Sequence, residues 1–296
     1  MTTTPVIDVD RLNLVYGDFH AVKDLSFQVG REEFYALLGT NGAGKTSTLE
    51  IIEGHRTATS GTVRVFGHSP RDRSTVRPRM GIMLQESGFS PDLTVRESVR
   101  LIGDLTRRTD KAERVLGIVD LTHKAGTKVS QLSGGEKRRL DFATAIYGSP
   151  ELIFLDEPTT GLDIQSRDDL WDSVDRLRED GSTIVLTTHY LEEAQQRADR
   201  IGLMHQGAFH QEGTVAELTR TLPAVIRFTL PAQASALPLH ARPDGEREGG
   251  YVIETFGLQK DLHALLGWAE DNAVELRDLQ AGPTRLDDVF RAIGSN

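Results

Sequence analysis

The chain has 296 residues, an apolar content of 38%, a charged content of 26% and a net charge of −10, the make-up of a soluble protein with room for one large domain and a small one. The acidity argues against a protein that works by neutralising nucleic-acid phosphates, so no nucleic-acid partner is expected, and the absence of cysteine excludes disulfides and thiolate metal sites. No apolar run approaches the ~18 residues of a bilayer span, and Met1-Thr2-Thr3-Thr4-Pro5 lacks the basic and apolar regions of a signal peptide.

In chain order, Phe34 to Leu38 reads as a buried strand that runs into Gly39-Thr40-Asn41-Gly42-Ala43-Gly44-Lys45-Thr46. This fits G-x-x-x-x-G-K-[ST], a turn whose backbone N–H groups converge on nucleotide phosphates. Gly39, Asn41, Gly42, Gly44, Lys45, Thr46 and Ser47 are the candidate nucleotide contacts, with Lys45 as a point charge and the Thr46 hydroxyl suited to Mg²⁺. The loop opens a helix from Lys45 to about Gly54, whose N-terminal dipole also favours anions. Arg71, Arg73, Arg77 and Arg79 form a local basic cluster, read as a solvated face. Met80 to Leu84 reads as a strand. The segment Pro91 to Glu97 reads as a loop entering a helix, Val95 to about Thr106, with Thr94 and Glu97 as a capping box.

Farther on, Leu132-Ser133-Gly134-Gly135-Glu136 precedes a helical stretch from Lys137 to about Tyr147. With Ser133 as N-cap and two bare glycines it is either a second anion site or simply a capped helix start. Glu151 to Glu157 is an apolar strand ending in two acids, Asp156 and Glu157, with Pro158 behind them. Asp156 suits a water-mediated Mg²⁺ contact; Glu157, pointing the other way on extended backbone, suits polarisation of an attacking water. A second apolar strand, Ser182 to Thr188, closes on His189, which alone reads as a capping residue. His20, His55, His68, His205 and His210 have no ligand spacing and receive no function. Beyond Leu222 the pattern changes to strand (Ala224 to Leu230), loop (Pro231 to Gly250), strand (Tyr251 to Phe256), helix (Leu258 to Ala269), strand (Val274 to Leu279) and a short helix capped by Thr284. This suggests a small α+β domain of ferredoxin-like type, without a candidate site and with a dimer-stabilising or regulatory role.

Together these segments resemble the ATP-binding-cassette (ABC) ATPases. The phosphate loop, the signature Leu132 to Glu136 and the acid strand occur in that family's order and spacing, and the likeness extends over roughly residues 6–221. Tyr16 stands where the family stacks an aromatic on adenine, Gln85 at the Q-loop, Gly161-Leu162-Asp163 at the D-loop and His189 at the switch histidine. The resemblance implies an α/β P-loop NTPase fold with a RecA-like core, an N-terminal antiparallel β-subdomain and a helical signature subdomain, in an ATPase domain of residues 1–222 followed by a small α+β domain of residues 223–296. It implies ATP and Mg²⁺, with Thr46, Gln85 and, through water, Asp156 around the metal. Glu157 would be the catalytic base and His189 a γ-phosphate contact. Ser133, Gly134, Gly135 and Glu136, with the D-loop Asp163, would close over ATP held by the second copy of a homodimer. It also implies a separately encoded integral-membrane permease, docked on Glu86 to about Arg96, and a peripheral position on the cytoplasmic face of the membrane.

Two residues depart from the commonest family wording. Glu136 replaces glutamine and adds a negative charge, softened by Lys137, Arg138 and Arg139; Gly161 replaces alanine and should loosen its turn. The Leu286-Asp287-Asp288-Val289-Phe290 ending resembles the daunorubicin-resistance type of ABC exporter ATPase, which implies an ABC-2-type permease and a hydrophobic or antibiotic-like cargo. The alternatives are an importer ATPase, a soluble ABC ATPase without a transport role, and a degenerate cassette that binds ATP without turnover.

Overall fold

The computed structural model describes residues 4–85, 88–220, 222–230, 240–244 and 249–294, so most of the expected loop 231–250 and part of the expected docking segment, Glu86 and Ser87, lie outside the described residues. Two compact units are present, Met1–Thr214 and Val215–Asn296. In chain order the first contains β1 (Ile7–Tyr16), β2 (Phe19–Val29), β3 (Phe34–Gly39), α1 (Lys45–Ile52), β4 (Ser60–Val65), α2 (Arg73–Val76), β5 (Met80–Met83), α3 (Val95–Thr106), α4 (Ala112–Ile118), α5 (Gly134–Ile146), β6 (Leu152–Asp156), α6 (Ile164–Glu179), β7 (Thr183–Thr187), α7 (Leu191–Arg197), β8 (Arg200–His205) and β9 (Ala208–Gly213).

A six-stranded sheet in the order β5-β6-β7-β3-β8-β9 forms the core. Its first five strands are parallel and β9 is antiparallel to β8. Strands covered on both faces read as unbroken apolar runs, and β3 (Phe-Tyr-Ala-Leu-Leu) and β6 (Leu-Ile-Phe-Leu) are buried along those runs. The second sheet, β2-β1-β4, is antiparallel. One apolar cluster joins the two: Ile7, Val22 and Val65 of the antiparallel sheet pack with Tyr35, Phe154 and Val185 of the parallel one. Helix α3 buries Val95, Ser98, Val99 and Gly103, one face at helical spacing, and the expected Thr94–Glu97 capping box closes its start. This is the P-loop NTPase architecture with a RecA-like core, an antiparallel β-subdomain and a helical subdomain.

The second unit contains α8 (Val215–Thr219), β10 (Ala224–Thr229), β11 (Arg242–Pro243), β12 (Gly250–Thr255), α9 (Leu258–Asp271), β13 (Arg277–Gly282) and α10 (Leu286–Gly294). Its sheet, in the order β11-β12-β10-β13, is antiparallel throughout. After β10 the described elements run strand, strand, helix, strand, helix, and residues 231–239, where the βαββαβ order of a ferredoxin-like fold would carry its first helix, lie outside the described residues. The last strand begins three residues later than the apolar run suggests. Val274 and Leu276 pack into the apolar cluster of Ile226, Phe228, Ile253 and Leu265 before the ladder starts at Arg277. The Thr284 hydroxyl donates to the carbonyls of Leu222 and Pro223, and Asp288 accepts from the Arg285 N–H before α10.

Candidate functional site

Strand β3 delivers the chain to Gly39, and α1 starts six residues later at Lys45. The N-cap of α1 is Gly44, with φ 95° and no side-chain cap. The amides of the first helical turn are therefore left unclaimed, which is the condition for anion binding at a helix start. Gly44 is required twice over. Its backbone is left-handed, and a Cβ there would stand 2.6 Å from the Ala21 carbonyl oxygen on β2. Gly207, in the β8–β9 turn, approaches the same oxygen, where a Cβ would stand at 2.7 Å. The Lys45 ammonium donates to the carbonyls of Gly39 at 2.8 Å and Thr40 at 3.3 Å. Burial pushes its pKa down, opposed by the nearby carboxylates of Glu157 and Asp156.

A cleft of about 210 Å³ runs along Gly42 to Ser47 and is walled by Tyr16, Phe19 and Ala21. The Tyr16 hydroxyl lies 3.2 Å from Ser47 Oγ, and the Arg56 guanidinium lies 5.0 Å over its ring. Asn41 and Gly42 are exposed on the loop. Phe19, 62% exposed, is a second aromatic at the cleft that the sequence reading missed. It faces Tyr16 across the tight hairpin that joins β1 to β2, and two aromatics flanking Gly17-Asp18 were the available signal. His205, assigned nothing, is 3.5 Å from Thr40 Oγ1.

The acids and the histidine come from neighbouring strands, with Asp156 on β6 in register with Thr187 on β7. Asp156 accepts from the Thr187 hydroxyl. Glu157 is not on extended backbone, as alternation along the strand suggested. The strand ends at Asp156, and Glu157 has φ 50°, a left-handed conformation that is uncommon for a residue with a Cβ. Its N–H donates to Thr187 O at 2.9 Å. Its Oε2 lies 2.5 Å from His189 Nδ1 and accepts from the His189 N–H at 3.3 Å. Lys45, Asp156, Glu157 and His189 are thus brought together, because β3, β6 and β7 are adjacent and parallel, ending at the same edge.

The signature turn is built differently. Helix α5 starts at Gly134, three residues before the expected Lys137, and Ser133 and Glu136 form a full capping box: Ser133 Oγ accepts from the Glu136 N–H at 3.2 Å and Glu136 Oε2 accepts from the Ser133 N–H at 2.8 Å. Accepting the Ser133 N–H holds the Glu136 carboxyl below its ordinary range, and Lys124, 3.3 Å away, adds to this. The cations expected beside Glu136 do not all serve it. Arg138 is buried, with its guanidinium on main-chain carbonyls, and Arg139 turns to Val119 and Asp120. Gly135 packs toward Leu162, to which a Cβ would stand at 3.8 Å.

At the D-loop, Asp163 caps α6 by accepting from the Ser166 N–H at 2.9 Å. Gly161 has φ 78°, so glycine suits that turn rather than loosening it. Gln85 is exposed two residues beyond β5, and its carbonyl accepts from Arg138. Among the described residues no hydrogen bond or ion pair joins Ser133–Glu136 to the phosphate loop. The basic cluster is also not simply solvated: Arg79 lies over the Phe66 ring and is paired with Glu151 at 2.6 Å.

Among the described residues no three carboxylates or histidines converge as an all-protein metal cage. A metal at Thr46 and Asp156 would take remaining ligands from phosphate and water, which fits Mg²⁺.

A sequence profile of the ABC transporter family matches residues 22–160, and one of the C-terminal domain of ABC transporter domain-containing-like proteins matches residues 224–284. The chain is 40% identical to a daunorubicin resistance ATP-binding protein of Streptomyces coeruleorubidus, covering 96% of this chain and 94% of that one. It is 36% identical to a Nod factor export ATP-binding protein I of Burkholderia orbicola, covering 98% and 97%. It superposes with a TM-score of 0.64, at 26% identity over 70% of this chain and 98% of the other, on the dimeric post-hydrolysis state of an ATP-binding cassette bound to ADP and Pi.

Proposed function

This chain belongs to the ABC transporter family of ATP-binding proteins, and from that premise we propose that it powers export through a separately encoded permease, as a homodimer that closes on two ATP molecules. As an ATPase of this family it binds ATP and hydrolyses it. Lys45 and the amides from Gly42 to Ser47, with Gly39 and Asn41 shaping the loop, hold the phosphates, and Tyr16 stacks on adenine. Glu157 takes a proton from the attacking water, and His189, in contact with Glu157 at 2.5 Å, orients that carboxylate and reaches the γ-phosphate. Mg²⁺ would neutralise charge on the β- and γ-phosphates, held by Thr46, Gln85 and, through water, Asp156. The observation that carries this reading is the placement of the phosphate loop with Lys45, the acids Asp156 and Glu157, and His189 at the ends of β3, β6 and β7, neighbours in one parallel sheet.

Ser133, Gly134, Gly135 and Glu136 act in trans, with Asp163 beside them. Their turn offers amides and a hydroxyl but no lysine of its own, so it adds to a phosphate already held by the second copy. Export is supported by two relatives, named for Nod factor export and daunorubicin resistance, that match the chain over nearly its full length. The relative named for daunorubicin resistance supports an antibiotic-like, hydrophobic cargo, and in this reading the Leu286 to Phe290 ending goes with an ABC-2-type permease. Since no helix among the described residues is long and apolar enough to cross a membrane, the pathway in this reading belongs to the permease, and the ATPase sits on the membrane's cytoplasmic face. The test is to trap Glu157→Gln with Mg·ATP, alone and with co-purified membrane protein, and weigh it. An ATP-dependent dimer bound to a multi-span partner is expected; a monomer in both preparations overturns the reading.

A further inference from the structure

Arg138 lies in α5, five residues after Ser133, and only 6% of its surface is exposed. Burial pushes its pKa down, while Asp141, Asp156 and Glu157 oppose this. A guanidinium has five N–H donors in one plane, and here they meet five main-chain carbonyls. Nε donates to Pro158 O at 3.1 Å. One terminal nitrogen donates to the carbonyls of Leu84 and, at 3.2 Å, Gln85. The other donates to Asp156 O and Glu157 O, both at 2.6 Å. The Asp141 carboxylate, one helical turn on, is 3.9 Å away.

The carbonyls come from two segments far apart in the chain. Leu84 and Gln85 follow β5; Asp156, Glu157 and Pro158 form the turn that carries the proposed base. Glu157 holds its left-handed backbone because both its polar groups are fixed: the N–H by Thr187 O and the carbonyl by Arg138. Arg138 itself is rooted in the helix whose first turn is the signature.

We propose that Arg138 is a positioning residue for ATP hydrolysis, clamping the Glu157 peptide and the Gln85 segment to the signature helix so that seating of Ser133 to Glu136 sets the direction of the Glu157 carboxylate. The proposal rests on Glu157 being the base. It places the coupling in a side chain whose hydrogen bonds, among the described residues, all go to main-chain carbonyls. Lysine cannot replace it, because its three donors on one atom do not span carbonyls on two segments.

The test uses the full-length chain in single-turnover hydrolysis of Mg·ATP with protein in excess, beside nucleotide-binding and melting measurements. Arg138→Met removes every donor; Arg138→Lys keeps the cation and decides the matter should the methionine form not fold. The hydrolysis rate should fall between about ten- and a hundredfold in either variant, with Mg·ATP affinity held within about twofold. Combined with Glu157→Gln, neither change should slow the residual rate further, because the residue acts through that carboxylate. Wild-type turnover in Arg138→Lys, an additive loss in the double variant, or an affinity that falls in step with rate would overturn the proposal. A wild type no faster than Glu157→Gln would overturn the ATPase site assignment itself, and that is seen without any Arg138 variant.

Discussion

The turn that opens α1 and the turn that opens α5 are both rich in glycine, yet the first leaves its amides bare and the second caps them. At α1 the N-cap is Gly44, no side chain satisfies the first turn, and a lysine follows at once. At α5 Ser133 and Glu136 satisfy each other's N–H groups, and Lys124 is paired with Glu136. Only the Gly134 and Gly135 amides and the Ser133 hydroxyl proton remain for a partner. One turn can hold a polyanion unaided, while the other can only contribute to one already bound. That difference is what a head-to-tail pair needs: a subunit with two strong sites would bind two nucleotides without any reason to dimerise.

The contrast can be broken or sharpened by substitution. The largest effect is expected for Glu157→Gln, where loss of a general base should slow hydrolysis by about 10²–10⁴-fold while ATP-driven dimers persist; wild-type turnover would remove Glu157 from the mechanism. Lys45→Ala should weaken Mg·ATP binding about a hundredfold, the loss of a charge-assisted contact worth about 2–3 kcal/mol, measured by titration of the single chain. Ser133→Ala should leave that single-chain affinity within about twofold and weaken ATP-driven dimerisation. It should also lower stability by about 1 kcal/mol through the lost cap. If it weakens single-chain binding as much as Lys45→Ala does, the two turns are not different in kind.

The smallest effect is expected for Glu136→Gln, which keeps a capping-box side chain but loses the Lys124 pair. Glu136 has its folded pKa below the unfolded value, so its charge stabilises above about pH 4.3, the ordinary glutamate value, and the benefit disappears as pH falls through the folded pKa. Melting curves should therefore show wild type slightly ahead of Glu136→Gln at neutral pH and the two converging in acid. A gap that widens in acid would mean that the carboxylate is destabilising.

Much of this site was legible because phosphate binding demands residues at fixed spacing along one local segment. The loop 39–46 and the strand before it are visible from glycine, lysine and an apolar run alone, and the Thr94–Glu97 box follows from side-chain reach. What could not be read depends on contacts between distant segments. Whether Glu157 stays on the strand is decided by Thr187 and Arg138, which hold its peptide from outside, so alternation along β6 misread its backbone, which is left-handed rather than extended. The charge partner of Glu136 is Lys124, twelve residues away, rather than the basic triplet that follows it. In the C-terminal unit the elements were visible from periodicity, but strand order was not, and β13 was displaced because Val274 and Leu276 serve the core without joining the ladder.

The Ala21 carbonyl, wedged between Gly44 and Gly207, makes a single peptide of β2 the resting point of both the phosphate loop and the β8–β9 turn. Three segments remote in sequence share one bearing, with no spare room for a methyl group on two of its sides. An insertion in the hairpin at Gly17 and Asp18 would thus be felt as a tilt of the triphosphate cradle, although it touches no phosphate. Engineering of that exposed bend, by a tag or a graft, should be expected to alter nucleotide affinity before it alters melting temperature.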